Sequence, residues 1–436
     1  MSASAVSAQA ASSRGAQIAW FGCVALAIAL PWFFYDWSSG RHSGFMVSMF
    51  SQTGMMVIFA LSYNMLMGQA GMLSFCHAVF FGIGGYVTIH TLDAIGGGLP
   101  LPIELVPLAG AGSGLLLAMF FGYMATKQRA TAFAMITLGI GELLATAALM
   151  FHHFFGGEGG VTSNRMVERS LFGLDYGQGI QVYYLIVFWT LATAGFMYFL
   201  TRTPLGRMAN ACRDNFERAQ FVGYDPRWVR FIQFSLSGLC AGVGGSLYAV
   251  TYEIVTFDAL NGALSANALL MAYIGGVSAF AGPVLGAVLI TVLQSGVSLL
   301  SNSWLVYVGV LFIAMVTFAP EGIAGIIQAH QPIKRAGMLG RFAVPYVRVL
   351  FPGLALLLGF VGVVELLSFL TIGAAQGKKL VLFGSQIDVY TAKPWVVAFG
   401  LFLGGAAWLR FESLAFGRLW DEVTGELKAR EREGAR

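Results

Sequence analysis

Windows of about 20 apolar residues recur along this chain, each as long as a helix needs to be to cross the hydrocarbon core of a bilayer. They fall near residues 18–37, 45–67, 69–92, 104–124, 131–154, 180–200, 229–249, 264–280, 282–299, 304–320, 350–372 and 394–411. Backbone in lipid has no water to bond, so such windows fold as helices that close their hydrogen bonds within the segment. The expectation is an all-α polytopic membrane protein with about 12 transmembrane helices, ten in a core and two C-terminal. Charge scarcity agrees: 11% of the 436 residues are charged and 57% hydrophobic, whereas soluble domains carry about 25% charged residues.

The placement of Lys and Arg orients the spans. With the amino terminus inside, one face holds Arg14, Lys127, Arg129, the arginines from Arg202 to Arg230, Lys334, Arg335, Arg341, Arg348 and the basic residues from Arg410 onward. The other face keeps only Arg41, Arg165, Arg169, Lys378, Lys379 and Lys393. The positive-inside bias therefore makes both termini cytoplasmic. The first window reads as a retained span, with a signal peptide over Ile18–Leu30 as the alternative. Cys23, Cys76 and Cys240 lie in apolar runs and Cys212 in a basic loop, which is no disulfide framework. A net charge of +4 distributed in this way does not point to nucleic acid.

Windows eight and nine meet at Gly275-Gly276 and Gly282-Pro283, too closely for an ordinary polar loop. Either a broken or re-entrant helix near the midplane or a tight helical hairpin fits that spacing; interrupted backbone is tolerated at membrane depth only where protein or a cavity covers it. Beyond Pro320 the character changes. A basic stretch from Gln328 to Arg348 leads to two further hydrophobic runs and the charged tail Asp421–Arg436, expected as a short solvated helix. The domain reading is a core over 1–330 and an extension over 331–436.

Reactive groups do not converge. There is no Glu-x-x-His partner for His152-His153, and no Lys is followed by Ser or Thr, which excludes a P-loop ATPase. The chain is read as a non-enzyme with no metal site. What it has instead are small-residue stripes: Gly71, Ser74, Ala78, Gly82 and Gly85 in the third window, and Ser235, Gly238, Gly242, Gly245 and Ala249 in the seventh. Stripes of that kind let helices approach closely; packing is the first reading and lining a path the second. Polar groups inside windows are costly and few. They are Asn64, Gln69, His77, Glu142, Asn267, Gln294 and Glu365; the candidates for a translocation path are Asn64, Gln69, Ser74, His77, Glu142 and Asn267, with packing the first reading for His77 and Asn64. For Glu142, within Thr137-Leu138-Gly139-Ile140-Gly141-Glu142, a path or gating role and an interhelical hydrogen bond stand side by side.

The interior loop Arg202–Arg230 carries six Arg against Asp214, Glu217 and Asp225. Pro204 can open a helix, and Leu205, Met208, Ala209, Cys212, Phe216 and Ala219 follow at near-helical spacing up to Gly223. Mixed charge beside an apolar stripe suits a protein partner's groove better than lipid alone.

The run Gly68-Gln69-Ala70-Gly71-Met72-Leu73-Ser74-Phe75-Cys76-His77, continued by Phe80, Gly82, Gly84 and Tyr86, resembles the signature of branched-chain amino acid type ABC transporter permeases of the LivM-like kind. Thr137–Glu142 before Gly156–Gly160, Gly206-Arg207 with Arg213-Asp214-Asn215 and Gly223, Gly242–Tyr248, Gly275-Gly276 with Gly282-Pro283-Gly286, and Pro320-Glu321-Gly322 extend the resemblance over about residues 45–330. It departs at Cys76, where the family usually has Gly, and at Glu158. The resemblance implies half of a translocation path for branched-chain amino acids or related small solutes such as urea, amides or aromatic acids. It implies a second, LivH-like permease, two cytosolic ATPases holding ATP and Mg, a periplasmic substrate-binding protein and a bacterial inner membrane. Gly206, Arg207, Arg213, Asp214, Asn215, Ala219 and Gly223 match the coupling helix, expected at about 204–223, and the outer loops Gly156–Arg169 and Tyr252–Asn261 would face the binding protein. The rivals are a secondary transporter using Glu142 and His77 as proton-linked groups, and a noncatalytic scaffold.

Overall fold

The computed structural model describes residues 22, 24–36, 41–128, 130–166, 169–171, 173–221, 223–299, 301–373, 380–382 and 385–434. Arg14, Cys23, Arg129, Lys378, Lys379, Arg436 and residues 18–21 of the first window lie outside them. Among the described residues eight helices are long and apolar enough to cross a membrane, nine if the bent pair Trp304–Phe318 and Gly322–Arg335 is one span. Three more apolar helices are shorter. The chain forms two compact units, Met1–Val292 with Pro320–Ile323, and Leu293–Ala319 with Ala324–Arg436.

The first unit is helical: α1 (Val24–Phe33), α2 (Gly44–Asn64), α3 (His77–Gly96), α4 (Val106–Ala125), α5 (Ala130–Met150), the short α6 (His152–Phe155), α7 (Gly179–Arg202), α8 (Pro204–Asp214), α9 (Phe216–Phe221), α10 (Pro226–Tyr252), α11 (Gly262–Gly275) and α12 (Gly282–Val292). At its centre α10 is buried along most of its length, because its small residues admit backbone on several sides. A Cβ on Gly242 would strike the Gly110 carbonyl of α4, and one on Gly245 the Phe81 carbonyl of α3. Gly238 faces Ala118, while Gly82 and Gly85 of α3 sit against Leu260 and Val255. Thr88 Oγ1 donates to Ser246 Oγ at 2.6 Å, a polar link that needs this proximity. In a bilayer, where lipid tails are as apolar as Leu, such backbone approach and hydrogen bonding hold helices together.

Two expectations need correction here. The third window does not begin a new helix at 69: α2 ends in a wide turn over Met65–Gln69, residues 71–76 are not helical, and α3 starts at His77. Gly71 and Ser74 therefore lie outside the helical stripe. Gly71 has φ +64°, a conformation that favours glycine and breaks the helix.

Between windows eight and nine the structure has a tight hairpin of short helices. Gly275 packs on Gly282 and Gly286 on Met271, backbone against backbone. The 14 residues of α11 span roughly 21 Å, short of a hydrocarbon core of about 30 Å. Above α11 the chain is irregular. The two-residue strand Ile254–Val255 pairs antiparallel with Val161–Thr162, and Leu260 packs into the gap at Gly82.

The second unit contains α13 (Trp304–Phe318), most of α14 (Gly322–Arg335), α15 (Ala343–Ser368) and α16 (Ala392–Gly434). Gly359 and Gly405 let α15 and α16 touch backbone to backbone, and Glu365 accepts from Tyr307 Oη at 2.5 Å. The charged tail is not a separate short helix. It continues α16, 43 residues in all, and Val423 joins Ile333, Met338 and Phe342 in a buried cluster.

Candidate functional site

The interior segment folds as two helices rather than one. Thr203 precedes α8 in extended backbone and Pro204 occupies its first position, where a missing N–H costs nothing. Asn215 is extended (φ −155°, ψ 101°) and ends α8; α9 follows, and Gly223 with φ +90° leads to Asp225, whose Oδ1 accepts the Arg227 N–H at 2.9 Å to cap α10. The apolar stripe is largely consumed internally: Gly206, Ala209, Cys212 and Ala219 are buried within the chain. Arg207, Asp214 and Glu217 remain exposed, and Phe221, which sequence reasoning did not single out, is 89% exposed at the end of α9.

Arg213 does not lie free on that face. Its Nη1 donates to the Gly68 carbonyl, its Nε to Asp214 Oδ1 at 2.9 Å, and a Cβ on Gly71 would lie 2.8 Å from its Cγ. One arginine thus ties α8 to the non-helical break between α2 and α3. Spacing alone places Arg213 and Gly71 far apart in the chain and cannot signal the contact.

Beyond this strut the break re-enters the bundle. Phe75 N–H donates to Thr137 Oγ1 of α5 at 3.1 Å, and Ala78 N–H to Ser265 Oγ of α11 at 2.8 Å, so backbone groups at membrane depth find side-chain partners. His77 is fully buried, with Nε2 2.8 Å from Ser62 Oγ and rings of Phe59, Tyr63 and Phe80 around it. Gln69 Oε1 accepts from Gln233 Nε2 at 2.8 Å, and Ser62 O from Ser237 Oγ at 2.8 Å. Gln233 and Ser237 of α10 escaped the sequence reading because a glutamine and a serine in an apolar helix carry no pattern of their own. Asn64 and Ser74 are buried as well, and Asn267 is half-buried on α11.

Glu142 stands apart from this buried set. It lies near the middle of the 21-residue α5, exposed, and 3.5 Å from where a Cβ on Gly262 would sit, at the start of α11. Its neighbour Gly141 approaches Phe75 and Cys76, yet Glu142 faces outward while His77 faces into the bundle. Among the described residues the Glu142 carboxylate has neither a hydrogen bond nor an ion pair, so the interhelical hydrogen bond weighed for it is not formed among them. Among the described residues no cluster of His, Cys, Asp or Glu has the geometry to hold a metal ion.

On the opposite side Glu104, which the sequence left unremarked, and Arg165, named there only among the basic residues, organise the segment leading to α7. Buried Glu104 accepts the Leu171 N–H at 3.1 Å and the Tyr176 hydroxyl at 3.0 Å. Arg165 donates to the carbonyls of Tyr176 and Thr251 at 2.9 Å, and its own N–H bonds Glu253 Oε1 at 2.9 Å. Gly156, Gly157 and Gly160 all have positive φ, and Gly160 packs on Val255 and Thr256. Parts of both outer loops are thereby committed to packing; Glu158 remains exposed.

The family model described as branched-chain amino acid transport system, permease component, matches residues 45–319. The chain is 24% identical over 308 residues to the high-affinity branched-chain amino acid transport system permease protein LivM of Escherichia coli (strain K12), covering 66% of this chain and 72% of that protein. It is 22% identical over 293 residues to the corresponding permease protein LivH of Salmonella typhimurium (62% and 90% covered). To the galactofuranose transporter permease protein YtfT of Escherichia coli (strain K12) it is 25% identical over 279 residues (60% and 74% covered). No solved structure matches.

Proposed function

The chain belongs to the family of permease components of branched-chain amino acid transport systems, and from that premise we propose that it is one membrane-spanning subunit of an ATP-driven importer. It supplies half of the translocation path for branched-chain amino acids or related small solutes, a range that includes urea, amides and aromatic acids. A second, LivH-like permease completes the path. Two cytosolic ATPases bind ATP and Mg, and a periplasmic protein delivers the solute. The location is the bacterial inner membrane with both termini cytoplasmic, in keeping with the Lys and Arg distribution. Residues to about 330 form the permease core and 331–436 an extension.

The observation that carries this reading is the Arg213 strut. An importer without its own nucleotide site needs a surface that receives force and a rigid link from it to the path. The exposed face of α8 and α9, with Arg207, Asp214, Glu217 and Phe221, is the surface, and Arg213 on Gly68 is the link. ATP-driven closure of the ATPases would push α8, and α8 would move the break at Gly68–Cys76 against α5 and α11, so that glycine-packed helices rock as bodies. Asn64, Gln69, Ser74, His77, Glu142 and Asn267 remain the path candidates, with Glu142 alone among them carrying an exposed charge.

The test is uptake in proteoliposomes containing the whole importer. Charge reversal at Arg207 is expected to abolish ATPase-driven uptake while the chain still folds; coupling that persists at the wild-type level refutes the docking role. The proton-linked alternative requires His77 and Glu142 to exchange a proton, but the two face opposite ways. Uptake by the chain alone, driven by a proton gradient and indifferent to ATP, would restore that alternative.

A further inference from the structure

We propose that Glu142 pairs with the α-ammonium group of the solute as it passes the membrane midplane, and that this carboxylate makes the path select amino acids over neutral or anionic solutes of similar size. The proposal rests on the permease reading and narrows it.

Placement comes first. A carboxylate in mid-span either finds a countercharge or faces water, because hydrocarbon gives it neither. Glu142 sits near the middle of α5 with its side chain exposed, and no described residue of this chain pairs with it. Lys127, beyond the cytoplasmic end of α5, and Arg165, in the outer segment already bonded to Glu253 and to backbone carbonyls, belong to opposite ends of the unit. Among the described residues none supplies a cation to it, which leaves the carboxylate open to a cationic solute. Its Oε1 lies beside Gly262, where α11 begins.

Shape narrows the cation to a small amine bearing an aliphatic group. One turn before Glu142, Gly139 leaves open space, with nothing within 4 Å of where its Cβ would be. Leu138 and Met135, both exposed, supply an apolar wall beside that notch. A compact ammonium carrying an aliphatic side chain matches the carboxylate and the exposed Gly139, Leu138 and Met135 on the same face of α5. Urea and simple amides lack the positive charge, and an aromatic acid without an amine brings a second negative charge that Glu142 repels.

The experiment compares wild type, E142Q and E142D in proteoliposomes with the complete importer, measuring ATP-driven uptake of labelled leucine, isoleucine and valine, ATP hydrolysis stimulated by the binding protein, and co-purification of the second permease. The expected result is an E142Q complex that assembles, hydrolyses ATP within twofold of wild type and loses at least tenfold in uptake, with E142D retaining most of it. Wild-type uptake rates in E142Q overturn the proposal and leave the permease reading standing. Loss of the second permease from E142Q also overturns it, since that places the countercharge on the partner subunit. Absence of ATP-driven uptake in wild type overturns the permease reading and the proposal with it.

Discussion

At the scale of single residues, the functional arrangement turns on side chains that reach across long stretches of sequence. Arg213 bonds a carbonyl and covers a glycine. Because the arginine is partly exposed, removing it with R213A is expected to lower stability by only about 1 kcal/mol, measured by thermal unfolding in detergent, while uptake falls far more than ATPase binding does. R213K, which cannot reproduce the planar fork, should resemble R213A more than wild type. Phe221 gives the opposite signature. At 89% exposure it contributes little to the isolated fold, so F221A should leave unfolding unchanged yet weaken co-purification of the ATPase by about 2 kcal/mol or more, the scale of an aromatic anchor at an interface. A stability loss in F221A without an effect on assembly would remove it from the docking face.

Elements are governed by glycine. The hairpin of α11 and α12 exists because Gly286 lets the Met271 carbonyl touch its backbone and Gly275 does the same for Gly282. G286V forces a branched side chain into that contact and should destabilise the protein by about 3 kcal/mol or more, above the usual 1–3 kcal/mol of overpacking because the obstacle is backbone; folded yield in detergent reads the effect. The spacing of Gly275, Gly276, Gly282 and Pro283 announced an interruption but left its form open, since both a broken helix and a hairpin use the same residues. Contacts with distant carbonyls selected the hairpin. For the same reason the third window was legible as an apolar span and not as a break followed by a helix: apolar content does not record that Gly71 takes a positive φ.

In the extension, the Arg341 guanidinium holds the Glu426 carboxyl below its usual range, with Arg430 adding to the effect. A depressed folded-state value means that this contribution is present at neutral pH and is lost as pH falls below the ordinary carboxylate range. E426Q should therefore flatten the acid limb of unfolding, read as the melting temperature from neutral pH down to about pH 3.

For the whole molecule, the orientation and the driving force are the testable properties. Alkaline phosphatase fused after the last helix should stay inactive, and the same reporter inserted near Gly173 in the outer segment should be active, as the charge asymmetry requires. Reversed activities would invert the proposed path of force, because the face bearing Arg207 and Phe221 would then lie on the side without ATP.

The sequence by itself determined the solvent in which this protein folds, the approximate positions of its long helices, the side on which its basic residues gather and, through the Gly68–Tyr86 run, its family. Those properties follow from local composition: about 20 apolar residues and a few arginines act the same way wherever they occur. Only the tertiary structure decided that Arg213 belongs to the break at Gly68, that the apolar stripe of α8 is spent inside the chain, that Glu104 and Arg165 hold the segment leading to α7, and that Glu142 has no partner among the described residues. These depend on which residues meet across turns and between helices, and in a bundle packed through glycine that is settled by backbone approach, for which a one-dimensional pattern carries no distance.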